Sequence, residues 1–151
     1  YLQNEPILET GVTSSTKNRR KVQGSFYTPY EVASLIVKST ILDYQAGEKI
    51  LDPACGTGVF LSAATHALVH QGHSAQELMK CLYGWDKDAF SLTVCGLLLS
   101  LENLDSAESV VNHTWTSQLI AKDSLLDNVN ADLFSAKQEE PLFSYIIANP
   151  P

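Results

Sequence analysis

The sequence predicts an α/β fold built on a mostly parallel sheet, and three observations support this. Short apolar strands alternate with longer stretches of helical periodicity, as in strands joined by crossover helices. Apolar residues make up 44% of the 151 residues, enough to bury a core. A polar residue stands at or just past the end of each predicted strand, which is the edge where parallel sheets bind ligands. These residues are Asp52, Asp86, Asp123 and Asn149.

The first predicted element is a helix that begins in residues 28–31, Thr-Pro-Tyr-Glu. Thr28 can serve as N-cap, Pro29 suits the first helical position, and Glu31 completes a capping box. Apolar residues then recur at helical spacing to about Asp43. Residues 1–23 before this helix have the composition of a polar leader or linker.

The remaining elements follow from apolar periodicity and from turn residues. They are a strand at 49–52, a glycine loop at 53–58, a helix from Val59 ending near Gly72, a short helix capped by Ser74, a strand at 82–86, a helix from Lys87 to about Asn103, a loop at 105–113, a strand at 115–122, a mostly irregular segment at 124–141 with a helical turn near 131–137, and a strand at 143–148.

Composition limits the class of protein. The net charge of -7 is uneven: residues 1–50 carry six Lys/Arg against five Asp/Glu, and residues 51–151 carry four against twelve. Phosphate contacts require basic side chains, so this chain is expected to bind DNA poorly by itself. The basic cluster at 17–21 has the pattern of a solvated linker.

Cysteine usage and hydropathy point to a cytoplasmic protein. The three cysteines lack Cys-x-x-Cys spacing, which argues against a disulfide framework or a zinc site. His66 and His70 share a helical face, but a third ligand at fitting distance is missing from the pattern, so no metal site is predicted. The sequence shows neither a signal peptide nor the roughly 18 apolar residues of a membrane span. Because no Met stands at position 1, the chain is expected to be a piece of something longer.

The glycine loop is the first candidate site. Gly56 and Gly58 let backbone approach a ligand closely, but Leu61 stands where a dinucleotide fingerprint needs a third glycine. A carboxylate at Asp52 would repel a pyrophosphate and suits an ammonium group. The alternative is that Asp52 only caps the loop through backbone amides.

Two carboxylates at later strand ends suit a nucleoside. Asp86 can accept hydrogen bonds from ribose hydroxyls, with Trp85 or Lys87 beside it to cover the base, unless Trp85 packs in the core. Asp123, followed by Ser124, can accept from an adenine amino group or cap a following turn.

The last residues, Asn149, Pro150 and Pro151, suit a substrate amine. The side-chain amide oxygen and the backbone carbonyl of Pro150 are two acceptors for an exocyclic –NH2, and prolines remove competing donors. A plain turn is the alternative.

Together these segments resemble the catalytic domain of N6-adenine DNA methyltransferases of restriction–modification systems, with the gamma-class motif order. The matching segments are Phe-Tyr-Thr-Pro at 26–29, Asp-Pro-Ala-Cys-Gly-Thr-Gly at 52–58 and Asn-Pro-Pro at 149–151, while Asp123 matches more loosely than Asp86. The aromatic residue that follows Asn-Pro-Pro in the family is absent because the sequence stops at Pro151.

The resemblance implies a Rossmann-like S-adenosylmethionine-dependent methyltransferase fold over residues 24–151, with later strands and the target recognition domain missing. It implies methyl transfer from S-adenosyl-L-methionine to adenine in DNA, and a specificity subunit, a restriction subunit or a fused nuclease as partner. Residues 1–151 alone are expected to bind the cofactor weakly at best and to catalyse no methylation. A protein-glutamine or RNA methyltransferase and a non-catalytic scaffold are the alternatives. The implied catalytic residues are Asn149, Pro150 and Pro151, and the implied cofactor-binding residues are Phe26, Tyr27, Thr28, Pro29, Asp52, Pro53, Ala54, Cys55, Gly56, Gly58, Asp86, Lys87, Asp123 and Ser124.

Overall fold

The computed structural model describes residues 27–102, 115–124 and 142–149. Its strands form one parallel sheet in the order β3-β2-β1-β4, so the predicted α/β class and the parallel sheet are confirmed. The strands are β1 (Ile50–Asp52), β2 (Leu82–Asp86), β3 (Leu119–Ala121) and β4 (Tyr145–Ile146).

The helices pack with these strands around one hydrophobic core. They are α1 (Tyr30–Thr40), α2 (Val59–His70), α3 (Ala75–Leu78) and α4 (Ala89–Glu102), with a 3-10 helix at Trp115–Ser117. Helix α1 contacts α2, α2 contacts β1 and α4, and α4 contacts β2 and β3. Among the residues described, no helix combines the length and apolar character needed to cross a membrane.

Strand β1 lies between β2 and β4, and this position sets the layout. Ile50 pairs with Leu82 on one side and with Tyr145 on the other. Because all strands run parallel, their carboxyl ends reach the same edge of the sheet. Segments far apart in sequence are thereby brought together beyond β1, β2, β3 and β4.

The predicted third strand is wrong in its first half. The chain forms a 3-10 turn at Trp115–Ser117, and β3 covers only Leu119–Ala121. Trp115 Nε1 donates to Ser100 Oγ at 2.9 Å, and the indole lies against Gly96 of α4. This side-chain contact holds Trp115 against α4, and the strand begins only at Leu119.

The predicted fourth strand is longer than the one observed. Strand β4 has two residues, although Ile147 N–H still donates to Leu51 O at 2.9 Å. Phe143 lies before the strand because its ring packs edge-on against Tyr83 and Trp85.

Helix ends differ from the predicted ones. Pro29, not Thr28, is the N-cap of α1, and no side chain caps it, so the predicted capping box is wrong. Helix α1 ends at Thr40, before Asp43. Ser74 does precede a helix, which is short because the chain turns at once into β2. The loop predicted at 105–113 and the turn predicted at 131–137 lie outside the described residues.

Gln118 holds the start of β3, a role that its sequence position does not signal. Its buried amide nitrogen donates to Met79 O at 2.7 Å and to Leu82 O at 2.6 Å. The backbone carbonyl of Gln118 accepts from Gly84 N–H at 2.9 Å. One side chain therefore ties β3 to the segment that leads from α3 into β2.

Replacing Gln118 by Met keeps the side-chain length and removes both donors. We expect Gln118→Met to lower the free energy of unfolding by about 2–3 kcal/mol, measured by denaturant unfolding, because buried carbonyls lose their partner. The control is Gln45→Met, since Gln45 is exposed, and its expected effect is below about 0.5 kcal/mol. Equal effects of the two substitutions would contradict this role of Gln118.

Candidate functional site

The glycine loop lies directly beyond β1 and is held by backbone hydrogen bonds. Cys55 N–H donates to Trp85 O at 2.9 Å, and Gly58 N–H donates to Cys55 O at 2.8 Å. Asp52 is 1% exposed, and its Oδ1 accepts from Ala54 N–H at 3.0 Å. Its Oδ2 is buried and has no hydrogen-bond partner within the described structure.

The two glycines of the loop have different physical roles. Both have positive φ, +52° at Gly56 and +89° at Gly58. A Cβ at Gly58 would lie 2.5 Å from Cys95 Sγ of α4, so Gly58 allows close packing of the loop on that helix. A Cβ at Gly56 would meet nothing within 4 Å. Open space therefore adjoins the loop at Gly56, where a ligand can approach the backbone.

Cys55 is a packing residue in this structure. Its side chain is buried, and its sulfur would lie 2.8 Å from a Cβ placed on Gly84. A hydrogen bond with the Cys95 thiol, together with burial, raises the pKa of the Cys55 thiol. A reactive thiolate needs the opposite environment.

Asp86 joins the end of β2 to the glycine loop. Its Oδ2 accepts from Gly56 N–H at 2.8 Å, and its Oδ1 accepts from Asp88 N–H at 2.9 Å. The carboxylate proposed for ribose thus also fixes the loop. Asp88, which the sequence analysis did not single out, accepts from Phe90 N–H and Ser91 Oγ, and these hydrogen bonds lower the pKa of its carboxyl.

The residues after β3 also reach the loop. Ser124 Oγ donates to Pro53 O, which brings the end of β3 beside the segment after β1. Lys122 Nζ lies 3.3 Å from the centroid of the Trp85 ring, whereas Lys87 is exposed. Lys122 was missed by sequence reasoning because a single Lys in a polar stretch carries no signal. Asp123 is half-buried at the same edge.

Asn149 lies beyond β4 and contacts the Tyr-Thr-Pro segment. Its Nδ2 donates to Thr28 Oγ1 at 3.1 Å. Tyr27, next to Thr28, is 75% exposed. Phe26, Pro150 and Pro151 lie outside the described residues.

The structure thus brings most of the predicted site residues to one sheet edge. The glycine loop, Asp86 and Ser124 are linked by hydrogen bonds, and Asn149 is linked to Thr28. Across residues 27–102, 115–124 and 142–149, no group of three or more His, Cys, Asp or Glu side chains is placed to hold a metal ion.

Comparison with known proteins identifies the family. Residues 7–151 match the family described as N-6 DNA Methylase. The chain belongs to this family. It is 33% identical over 147 residues to the Type I restriction enzyme MjaIX methylase subunit of Methanocaldococcus jannaschii, an alignment that covers 96% of this chain and 22% of that subunit.

Other relatives agree with this assignment. The chain is 33% identical over 86 residues to the Type I restriction enzyme EcoEI methylase subunit of Escherichia coli, which covers 54% of this chain and 17% of that subunit. The chain therefore spans about a fifth of the length of these curated relatives.

Two solved structures share this fold over about three quarters of the chain. A modification subunit assigned to a type I restriction enzyme of Vibrio vulnificus YJ016 superposes with a TM-score of 0.50 and 27% identity, over 74% of this chain and 22% of that one. The cryoEM structure of the DrdV–DNA complex has a TM-score of 0.51 and 20% identity, over 72% of this chain and 11% of that one, a likeness of fold alone.

The N-6 DNA methylase loop has an unusual electrostatic feature at Asp52. Burial raises the pKa of its carboxyl to about 7, although the Ala54 N–H opposes this change, and the nearby negative charge of Asp86 adds to it. Near neutral pH the carboxyl is therefore poised between its two states. A buried cation at Oδ2 would favour the ionised form.

This pKa predicts the pH dependence of stability. The folded-state pKa lies above the unfolded value of about 3.9, so the stabilising contribution of the neutral carboxyl is present below pH 4 and is lost as pH rises towards 7. Asp52→Asn removes this titration. We expect the wild type to lose about 2–3 kcal/mol more unfolding free energy than Asp52→Asn between pH 5 and pH 8.

Denaturant unfolding at the two pH values measures this difference, and carbon-13 NMR of the Asp52 carboxyl measures its titration directly. Parallel stability profiles for the wild type and Asp52→Asn, or an Asp52 carboxyl that titrates near pH 4, would contradict the prediction.

Proposed function

We propose that the protein containing this chain transfers a methyl group from S-adenosyl-L-methionine to the N6 amine of adenine in DNA. The observation that carries the proposal is that the glycine loop, with the buried Asp52 before it, and Asn149 lie at one edge of a parallel sheet. Membership of the N-6 DNA methylase family supports the same reaction.

The described residues fit the cofactor. Asp52 Oδ2 is a buried carboxylate oxygen that lacks a donor, and an ammonium group supplies one. The open space at Gly56 admits a ligand against the backbone. Each oxygen of Asp86 already accepts one amide N–H and retains a further lone pair for a hydroxyl donor.

The cofactor-binding set follows from this fit and from the family resemblance. It comprises Tyr27, Thr28 and Pro29 before α1, residues 52–56 and Gly58 in the loop, and Asp86, Lys87, Asp123 and Ser124 after β2 and β3. Phe26 is assigned to the cofactor-binding set by the resemblance alone. The resemblance alone also assigns Pro150 and Pro151 to the catalytic set.

When bound, S-adenosylmethionine would supply an electrophilic methyl group, and its sulfur would keep the electron pair of the broken bond. The adenine nitrogen would bond the methyl carbon and lose a proton to solvent. The role of Asn149 is to accept an N–H of the adenine amine through Oδ1 and so to direct the nitrogen lone pair at that carbon. Such catalysis depends on positioning and electrostatics.

The proposed DNA partner requires surfaces beyond this chain. The net charge of -7 opposes binding to a polyanion, so phosphate contacts must come from elsewhere. The relatives are methylase subunits of type I restriction enzymes, which supports a specificity or restriction subunit as the source. The target adenine must also leave the duplex, because its amine is inaccessible in the base stack.

The decisive test is the methyl acceptor. The full-length protein with its partner subunit is incubated with methyl-labelled S-adenosylmethionine and unmethylated DNA, and the nucleosides are separated by mass spectrometry. We expect N6-methyladenine. Label found in RNA or in protein, or none in DNA, would overturn the proposal.

Asn149→Ala separates chemistry from cofactor binding. We expect methyl transfer to fall at least about 100-fold, because a positioned acceptor is removed, while calorimetry shows cofactor affinity within about threefold of wild type. Gln45→Ala is the matched amide control, since Gln45 lies in the loop that enters β1 from the opposite edge, and it should keep wild-type rates. Full activity of Asn149→Ala would contradict the assigned role.

A further inference from the structure

We propose that Thr28 is a positioning residue for Asn149, which it orients through the hydrogen bond between Thr28 Oγ1 and Asn149 Nδ2. The resemblance assigns the Tyr-Thr-Pro segment to the cofactor, whereas this contact gives Thr28 a role on the substrate side. The inference rests on the proposed function of Asn149.

The contact joins two segments whose backbones are independently held. On one side, Ile147 N–H donates to Leu51 O at 2.9 Å and ties the chain before Asn149 to the central strand. Ile147 itself is 3% exposed and belongs to the core. Asn149 thus extends from an anchored strand end.

On the other side, Thr28 directly precedes an anchored helix. Pro29 O accepts from Val32 N–H and Ala33 N–H, both at 3.1 Å, which fixes the first turn of α1. Ala33 and Val37 are fully buried and hold α1 in the core. The hydroxyl of Thr28 therefore meets Asn149 from a defined position.

The chemistry of the amide makes this contact functional. A side-chain amide has a donor end and an acceptor end, and rotation by 180° exchanges them. An adenine amine offers N–H donors, so the productive amide orientation is the one in which Asn149 Oδ1 faces the amine. In the observed contact the Thr28 hydroxyl accepts from Nδ2, and this orientation leaves Oδ1 as the acceptor for the amine. The opposite orientation would place the –NH2 of Asn149 against another –NH2.

The helix that carries Thr28 is consequently linked to the catalytic amide. Because Asn149 is exposed, its amide can rotate when this partner is removed. Valine has the shape of threonine but lacks the acceptor, and serine keeps the acceptor but lacks the methyl group. The pair Thr28→Val and Thr28→Ser therefore separates the hydrogen bond from packing.

The kinetic test compares these variants in the full-length protein with its partner subunit. Thr28 also belongs to the proposed cofactor-binding set, so the two roles are separated by comparing kcat with cofactor affinity. We expect Thr28→Val to lower kcat about tenfold or more, a larger change than the change in the dissociation constant of S-adenosylmethionine. Thr28→Ser should restore kcat to within about threefold. A Thr28→Val variant that weakens cofactor binding at unchanged kcat, or Val and Ser variants that behave alike, would overturn the proposal.

Coupling to Asn149 gives a second arm. In the Asn149→Ala background, Thr28→Val should cause less than about a twofold further loss of kcat, because the group it orients is gone. An undiminished tenfold loss in that background would mean that Thr28 acts through another residue and would overturn the proposal.

A readout independent of activity separates this inference from the proposed function. In protein labelled with nitrogen-15 asparagine and free of cofactor, the Asn149 side-chain amide signals are identified by their loss in Asn149→Ala. Thr28→Val should shift these signals and speed their hydrogen exchange, and Thr28→Ser should not. These spectral changes without methylation of DNA adenine would retain the contact and reject the proposed function. Methylation with unchanged Asn149 signals in Thr28→Val would reject the contact.

Discussion

The central position of β1 is the constraint on which the rest of the structure depends. Its residues Ile50 and Leu51 are almost fully buried, and they pair in parallel with β2 on one side and β4 on the other. Parallel pairing sends each strand end to the same edge, so the glycine loop, Asp86 and Asn149 meet there. An antiparallel β4 would send Asn149 to the far edge and separate it from the loop.

Two carboxylates at this edge of the sheet have contrasting environments. Asp86 is half-buried, and each of its oxygens accepts a backbone N–H, so it supports the loop as it stands. Asp52 is buried, and this burial raises the pKa of its carboxyl. Among the described residues, its Oδ2 has no hydrogen-bond partner. Under the proposed function, the ammonium group of the cofactor supplies the donor that this buried oxygen lacks.

Prediction succeeded where the signal was local. Strand β2 was predicted with its observed bounds, and Val59 was predicted as the start of α2, because each begins an apolar run that is recognised from neighbouring residues. Prediction failed where a distant partner decided the outcome. Trp115 has a strand-like context but hydrogen-bonds to Ser100 of α4, and Gln118 looks like an ordinary polar residue until its buried contacts are seen.

The sequence by itself determined the α/β class, the alternation of helices with parallel strands, the glycine loop and the polar residues at the strand ends. Each of these depends on spacing along the chain. Only the tertiary structure decided that Thr28 contacts Asn149, that Ser124 reaches Pro53, and that the carboxyl of Asp52 is left one donor short. These features depend on distances between residues far apart in sequence and on exclusion of water, neither of which a local pattern encodes.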